Sequence, residues 1–378
     1  MAAERILTTH TGSLPRHADI VAELVAQAEG RRFDDELFSA VLERVVERIV
    51  ARQVETGIDI VNDGEAGKVS YATYVAGRLS GFSSAMKPRF TSFPDVVDFP
   101  EYAERVLPQF ESVLAPVCEG PVSYRGEAAV ARDCRILQRA VDLAGAKGAF
   151  MSAASPGVIA RFMDNHHYAS HEDYLWALAD AMKVEYDAIH EAGFILQLDC
   201  PDLTGNRPIH GTKAGTSYVD LHIEALNHAV RDIPSERMRM HLCWGNYEGP
   251  HHKDTPLRQI IASVLKARPA GLSIEAANPR HAHEWNVFLE TKLPDWKYLI
   301  PGVVDSTSNF IEHPELVAQR LERFASVVGP ERVVAGTDCG FGTFTGVSLV
   351  DADIAWAKLG SMVEGAALAS RALRPQTA

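Results

Sequence analysis

The chain has 378 residues, of which 46% are hydrophobic and 23% charged, and its formal net charge at pH 7 is −13. This composition is typical of a globular protein with a sizeable core, and the acidic balance disfavours nucleic acid and anionic membranes as partners. Residues 1–16 lack the pattern of a signal peptide, and no run of about 18 apolar residues predicts a membrane span. The five cysteines are too sparse for a disulfide framework, so we expect a reducing cytoplasmic location.

Short β-rich runs alternate with longer segments of helical periodicity along the chain. This alternation predicts parallel βα units, and eight of them over this length favour a closed (β/α)8 barrel, the TIM barrel of the α/β class. The predicted strands are 5–11, 57–63, 149–154, 194–199, 237–243, 271–275, 298–304 and 332–337. The helical patterns include 38–54, 171–192, 218–230, 257–267 and 315–328.

One region after the second strand interrupts this rhythm. Residues 82–137 are rich in Pro, Phe, Ser and Val and show no helix long enough for a normal crossover. We interpret residues 82–132 as an insertion, with a hairpin around residues 121–127, within a single barrel domain that spans residues 1–378.

Chemistry in such barrels lies at the carboxyl ends of the strands, where this sequence carries a set of metal-binding residue types. His241 and Cys243 are two apart on the fifth strand, so their side chains share a face and can reach one ion. Glu275 ends the sixth strand and Cys339 follows the eighth, so both could complete a tetrahedron. Two thiolates and an imidazole favour zinc over magnesium or calcium. The sequence therefore predicts a Zn²⁺ site.

A zinc site of this composition suits the activation of a thiol substrate. A free thiol has a pKa of about 8.5, and coordination to zinc removes its proton while leaving the sulfur nucleophilic. The Glu275 carboxylate, the weakest of the four ligands, could be displaced by the incoming thiol. We therefore expect an enzyme in which the bound thiolate attacks an electrophilic carbon.

At these positions the sequence resembles the catalytic C-terminal domain of cobalamin-independent methionine synthase, over nearly the whole barrel. The matching motifs are TTHTGSLPR, DGE, LQLDCPDL, RMHLCWGN, LSIEAANPR and GTDCGFGT, in that order along the chain. The resemblance implies zinc-dependent methyl transfer to homocysteine or a related thiol. It also implies that Ser13, Glu65 and Asp199 bind the amino-acid end of that thiol.

The sequence departs from this family on the donor side. The family's strand-seven motif carries a His after the Asp, whereas here Thr307 stands at that place after Asp305. The family's aromatic residue near the folate is matched at best by Phe162. These three residues are our candidates for the donor side of the pocket, and the identity of the methyl or alkyl donor stays open.

Three alternatives remain at this point, and homo-oligomerisation is also left open. The related epoxyalkane:coenzyme M transferases also use zinc to activate a thiol, which then opens an epoxide. In that alternative Arg16, Lys68 or Arg280 would bind the sulfonate of coenzyme M. A uroporphyrinogen decarboxylase-like enzyme would share the barrel without a metal. A non-catalytic zinc barrel would have no use for the acidic residues beside the metal.

Overall fold

The computed structural model describes residues 5–28, 35–88, 93–111, 113–204 and 216–373. Ten short strands are present in this part of the chain. In chain order they are β1 (Leu7–Thr8), β2 (Ile60–Val61), β3 (Lys87–Pro88), β4 (Leu114–Ala115), β5 (Gly148–Ala154), β6 (Ile195–Asp199), β7 (Met238–His241), β8 (Gly271–Ile274), β9 (Tyr298–Val304) and β10 (Val334–Thr337).

Helices follow most of these strands, and several of them begin at a side chain that caps the first turn. They are α1 (Ala18–Ala28), α2 (Asp35–Thr56), α3 (Pro100–Val106), α4 (Glu127–Ala144), α5 (Pro156–Phe162), α6 (His171–Glu191), α7 (Thr216–Ala229), α8 (Leu257–Val264), α9 (Val287–Glu290), α10 (Pro314–Val328) and α11 (Ala352–Ala372). The side chain of Ser155 caps α5 by accepting the Val158 N–H, and Asp351 caps α11 in the same way. No helix among the described residues is long and apolar enough to cross a membrane.

Eight of the strands form one parallel sheet that curls into a nearly closed barrel. Their order is β1-β10-β9-β8-β7-β6-β5-β2. At the two ends of this order, the Asp59 N–H donates to the Thr8 carbonyl oxygen over 3.1 Å, so the edge strands β1 and β2 also meet. The predicted TIM barrel is confirmed, and each of the eight predicted strands overlaps an observed one.

A buried arginine joins several strands inside the barrel. The Arg239 guanidinium donates to Gln197 Oε1 over 2.8 Å, to Thr9 Oγ1 over 2.9 Å and to the His10 carbonyl over 2.8 Å. It also lies over the Phe150 ring, 3.5 Å from its centroid. Because every polar atom of the guanidinium fork faces a partner or a ring, this cation fixes β7 against β6 and β1 directly below the mouth of the barrel.

The segment after β2 differs from our prediction. The antiparallel hairpin is formed by β3 and β4, whereas residues 121–127 contain no strand. The expected absence of a crossover helix before residue 137 was wrong, because α4 begins at Glu127 and is amphipathic over its whole length. It packs on α2 and is capped by Gly145. The φ of Gly145 is +65°, a left-handed conformation that is unfavourable for a residue with a Cβ.

Candidate metal and thiol site

The loops at the carboxyl ends of the strands enclose a cavity of about 1070 Å³, its open mouth included. Seven of the predicted site residues line it, namely Ser13, Glu65, Phe162, Asp199, His241, Cys243 and Cys339. The barrel therefore brings together side chains that are more than 300 residues apart in the chain.

Three candidate ligands converge on one point of the cavity floor. His241 is the last residue of β7, Cys243 follows two residues later, and Cys339 follows the end of β10. One ligand atom from each lies within 4.8 Å of the others, and all three residues are buried. The two Sγ atoms are 3.6 Å apart, close to the separation of about 3.8 Å that tetrahedral zinc with 2.3 Å bonds requires.

The atoms around this point suit a zinc ion. His241 Nε2 is buried without a hydrogen-bond partner, whereas its Nδ1 lies 3.3 Å from Ser273 Oγ, which orients the ring. Burial lowers the pKa of His241 to about 3, so the imidazole is neutral and able to coordinate. The neighbouring Cys339 and then burial raise the pKa of Cys243 well above its usual range, because a second negative sulfur is unfavourable without a cation.

The fourth predicted ligand, Glu275, lies just outside this group of three. Its Oε1 accepts the Trp244 N–H over 2.8 Å, and its Oε2 accepts the Asn278 side-chain amide over 2.8 Å. Burial and then the charge of Cys243 raise the pKa of the Glu275 carboxyl well above its ordinary value. The carboxylate is therefore adjacent to Cys243 but held by other donors, and its role as a ligand stays a prediction.

Two buried carboxylates face the same cavity. Glu65 adopts a left-handed φ of +53°, which is unusual for a residue with a side chain and aims its carboxylate inward. Its Oε1 accepts the Ser152 hydroxyl over 2.7 Å, but its Oε2 is buried without a partner. Asp199 accepts the Gln197 amide over 2.9 Å, and burial and then the Glu65 charge raise its pKa well above the usual range. Among the described residues no salt bridge joins either carboxylate to a cation, although the charges of Lys68 and Arg239 partly offset the rise in the pKa of Asp199.

Ser13 connects the first and last loops of the barrel at this site. Its carbonyl accepts the Phe341 N–H over 2.8 Å, and its hydroxyl accepts the Gly342 N–H over 3.3 Å. A Cβ at Gly340 would lie only 2.0 Å from Ser13 Oγ, so glycine is required there for this close approach. The serine is thereby held at the cavity wall.

The candidates for the donor side divide into one residue in the cavity and two outside its lining. Phe162 packs edge-on against Tyr71, with 5.7 Å between ring centroids, and both rings line the cavity. Asp305 instead accepts the N–H and hydroxyl of Thr307 over 2.9 Å each, which closes a local turn after β9. The geometry therefore gives Asp305 and Thr307 no support as pocket residues.

The predicted partners of a sulfonate also lie outside the cavity lining. The Lys68 ammonium is buried and donates to both the carbonyl and the hydroxyl of Ser152, and the Arg16 guanidinium donates to the Lys68 carbonyl over 2.9 Å. Arg280 is exposed. The arginine and lysine side chains that do line the cavity are Arg161 and Lys253, which the sequence analysis missed because neither lies at a strand end.

Asp338 is a further residue that shapes the site. The only sequence signal for it was its position beside Cys339. Its carboxylate accepts the backbone N–H groups of Ala276, Ala277 and Asn278 over 2.8 Å each. Burial raises its pKa to about 6. Asp338 thus ties the β10 loop to the β8 loop, which carries Glu275 to the rim of the metal cluster.

Comparison with known proteins places this site in a family. The family model described as "Cobalamin-independent synthase, Catalytic domain" matches residues 6–104 and 112–367. The chain is 26% identical over 368 residues to the methionine synthase of Saccharolobus solfataricus, covering 95% of this chain and 93% of that protein. It is 24% identical to the methionine synthase of Thermococcus kodakarensis, covering 97% and 94%.

Solved structures agree with the fold. The B12-independent methionine synthase from Shewanella sp. W3-18-1, in complex with selenomethionine, superposes with a TM-score of 0.75 at 18% identity, covering 98% of this chain and 99% of that one. A methyltransferase from Methanosarcina mazei gives a TM-score of 0.52 at 11% identity, covering 96% and 94%. Since the family model spans most of the sequence, the chain belongs to the cobalamin-independent methionine synthase catalytic-domain family of methyltransferases.

Proposed function

We propose that this protein is a zinc-dependent methyltransferase that methylates the thiol of homocysteine or a closely related aminothiol. One observation carries the proposal. The same cavity holds a buried His-Cys-Cys cluster and, beside Asp199, a buried Glu65 oxygen without a hydrogen-bond partner. Family membership and the methionine synthase relatives support the same conclusion.

In this proposal His241, Cys243 and Cys339 hold the zinc ion, with Glu275 as the fourth ligand. Bound zinc would supply the chemistry of lowering the substrate thiol's pKa, so that the thiolate forms at neutral pH. The Trp244 N–H and the Asn278 amide hold the two Glu275 oxygens, so this carboxylate would keep its position whether or not it binds the metal. Ser273 keeps the His241 ring in the required orientation.

In this proposal the remaining polar side chains of the cavity bind the amino-acid end of the thiol. An ammonium between Glu65 and Asp199 would occupy the free Glu65 oxygen and relieve the repulsion between two buried carboxylates. Ser13, fixed by the β10 loop, is placed to bond the substrate carboxylate. Coenzyme M has a sulfonate and no ammonium, so it would leave Glu65 Oε2 without a hydrogen-bond partner, and we therefore favour an aminothiol.

Zinc-edge X-ray absorption of the zinc-loaded protein tests this function directly. We expect the metal to gain one sulfur neighbour on addition of homocysteine and none on addition of coenzyme M. A gain only with coenzyme M would favour the epoxide-opening alternative. No change with either thiol would contradict thiol activation, and a protein that purifies without stoichiometric metal would favour the decarboxylase-like alternative.

A further inference from the structure

A tyrosine that neither the metal nor the aminothiol uses lies in the wall of the cavity. Tyr71 follows β2 by ten residues, on the same loop that carries Glu65, and it lines the cavity together with Cys243 and Cys339. Its ring packs against Phe162 and Phe344, with centroid separations of 5.7 and 5.8 Å. These contacts fix the ring plane and leave the hydroxyl as its only polar atom.

The Tyr71 hydroxyl has no hydrogen-bond partner among the described residues, and neither the proposed zinc site nor the proposed aminothiol site uses it. Within the described part of the chain it makes no hydrogen bond, whereas the hydroxyl of Tyr247 donates to Asp95 over 2.6 Å. Thr204 donates to the Cys243 carbonyl over 2.5 Å, and Thr11 to the Thr337 carbonyl over 2.9 Å. Tyr71 therefore has a hydroxyl in this wall that is available to a second substrate.

The surroundings keep the Tyr71 phenol protonated. Burial is the main cause that raises the pKa of its hydroxyl well above the ordinary value of 10. A neutral phenol beside the reacting sulfur can donate a proton but does not compete with the thiolate as a nucleophile.

The proposed reaction has a need that this hydroxyl can meet. When a thiolate attacks a carbon bonded to nitrogen or oxygen, that bond breaks and its electron pair stays on a poor leaving group. Protonation of the leaving atom in the transition state lowers this barrier. Asp305 and Thr307, the residues expected on the donor side, lie outside the cavity lining and bond to each other.

We propose that Tyr71 is a catalytic residue that protonates the leaving group of the alkyl donor. This assignment rests on the proposed thiol alkylation. The sulfur–carbon bond forms as the carbon–nitrogen or carbon–oxygen bond breaks, and the leaving atom takes the Tyr71 hydroxyl proton. Water returns a proton to the phenolate, which balances the proton that the substrate thiol releases on binding.

The test compares donors whose leaving groups differ in their need for a proton. The zinc-loaded wild-type and Tyr71→Phe proteins are assayed with homocysteine and 5-methyltetrahydrofolate, epoxypropane or methyl iodide. Tyr71→Phe keeps the ring and its packing, so we expect the loss of general-acid catalysis alone, about 10²–10⁴-fold with the first two donors. With methyl iodide, whose iodide leaves without a proton, the two proteins should react equally fast. Tyr102→Phe, a half-buried tyrosine outside the cavity, serves as the matched control.

The outcomes separate this assignment from the proposed function. An equal loss with all three donors, or no loss with any, would overturn the role of Tyr71. Wild-type activity with methyl iodide alone would overturn it as well, because the cavity would then not support a donor that needs a proton. If homocysteine adds no sulfur neighbour to the zinc, the failure lies in the proposed function itself.

Discussion

The sulfur atoms of Cys243 and Cys339 lie 3.6 Å apart, although 96 residues separate the two cysteines in the chain. Cys243 follows β7 and Cys339 follows β10, and β8 and β9 lie between these strands in the sheet. Only the curvature of the closed barrel brings the two strand ends over the same point. Two buried thiols this close repel each other once ionised, so the arrangement favours a bound cation.

Replacement of either cysteine should therefore remove zinc and activity together. We expect Cys243→Ser and Cys339→Ser to purify with far less than one zinc per chain and to lose methyl transfer, because hydroxyl oxygen is a poor zinc ligand. Cys134→Ser changes a buried cysteine on α4 outside the cavity and should retain its zinc. Metal analysis by mass spectrometry measures this, and full zinc in the Cys339→Ser protein would exclude our ligand set.

The free oxygen of Glu65 leads to a prediction about substrate affinity. Glu65→Gln removes the charge but keeps the shape, so the ammonium of homocysteine loses a charge-assisted hydrogen bond worth about 1.5–3 kcal/mol. This corresponds to a rise in KM of roughly tenfold to hundredfold. The comparison uses 4-mercaptobutyrate, which is homocysteine without its ammonium. Glu55→Gln, which changes an exposed carboxylate of α2, is the control. An equal effect on both thiols would show that Glu65 does not bind the ammonium.

The sequence predicted the barrel and the convergence of three candidate metal ligands for the same physical reason. Parallel strands place their carboxyl ends on one face, so His241, Cys243 and Cys339 could be assigned to one site from strand positions alone. The partners of Glu275 could not be predicted, since they come from the Trp244 backbone and the turn at Asn278. Tyr71 was also missed, because it lies on an irregular loop that has no periodic pattern.

The hairpin of β3 and β4 was misplaced for a related reason. Each strand has only two residues, too few for an alternation of apolar and polar side chains to be visible in the sequence. The strands pair across more than twenty intervening residues, whereas the predicted hairpin at 121–127 relied on a local turn signal. Pairing between strands so far apart in the sequence depends on tertiary contacts, which a local sequence pattern cannot predict.

A buried histidine below the site predicts how stability depends on pH. His10 Nε2 lies 2.8 Å from Gln53 Oε1, and burial lowers the pKa of His10 from 6.5 to about 4. Between these values the unfolded chain binds a proton that the folded chain does not. The contribution of His10 to the free energy of unfolding is therefore fully present above pH 6.5. It falls by about 1.4 kcal/mol per pH unit as the pH decreases towards 4.

Urea unfolding of the wild-type and His10→Gln proteins at about pH 7 and about pH 4.5 measures this contribution. The wild type should lose about 3 kcal/mol more than the variant on acidification, because glutamine does not titrate. Parallel losses in the two proteins would mean that other buried groups account for the acid sensitivity.

The last prediction concerns the anchor of the loop that carries Glu65 and Tyr71. The Arg78 guanidinium on this loop pairs with Asp133 of α4 and, over 3.1 Å, with Glu185 of α6, and all three side chains are buried. Arg78→Met would leave the buried Glu185 carboxylate without a cation and Asp133 paired with Arg132 alone, so we expect a loss of about 3–5 kcal/mol in the free energy of unfolding. Arg139→Met removes a fully exposed arginine that pairs with Glu43 and Glu47, and it should change stability little because water screens such pairs. Equal urea midpoints for Arg78→Met, Arg139→Met and the wild type would show that the buried pairs do not anchor the loop.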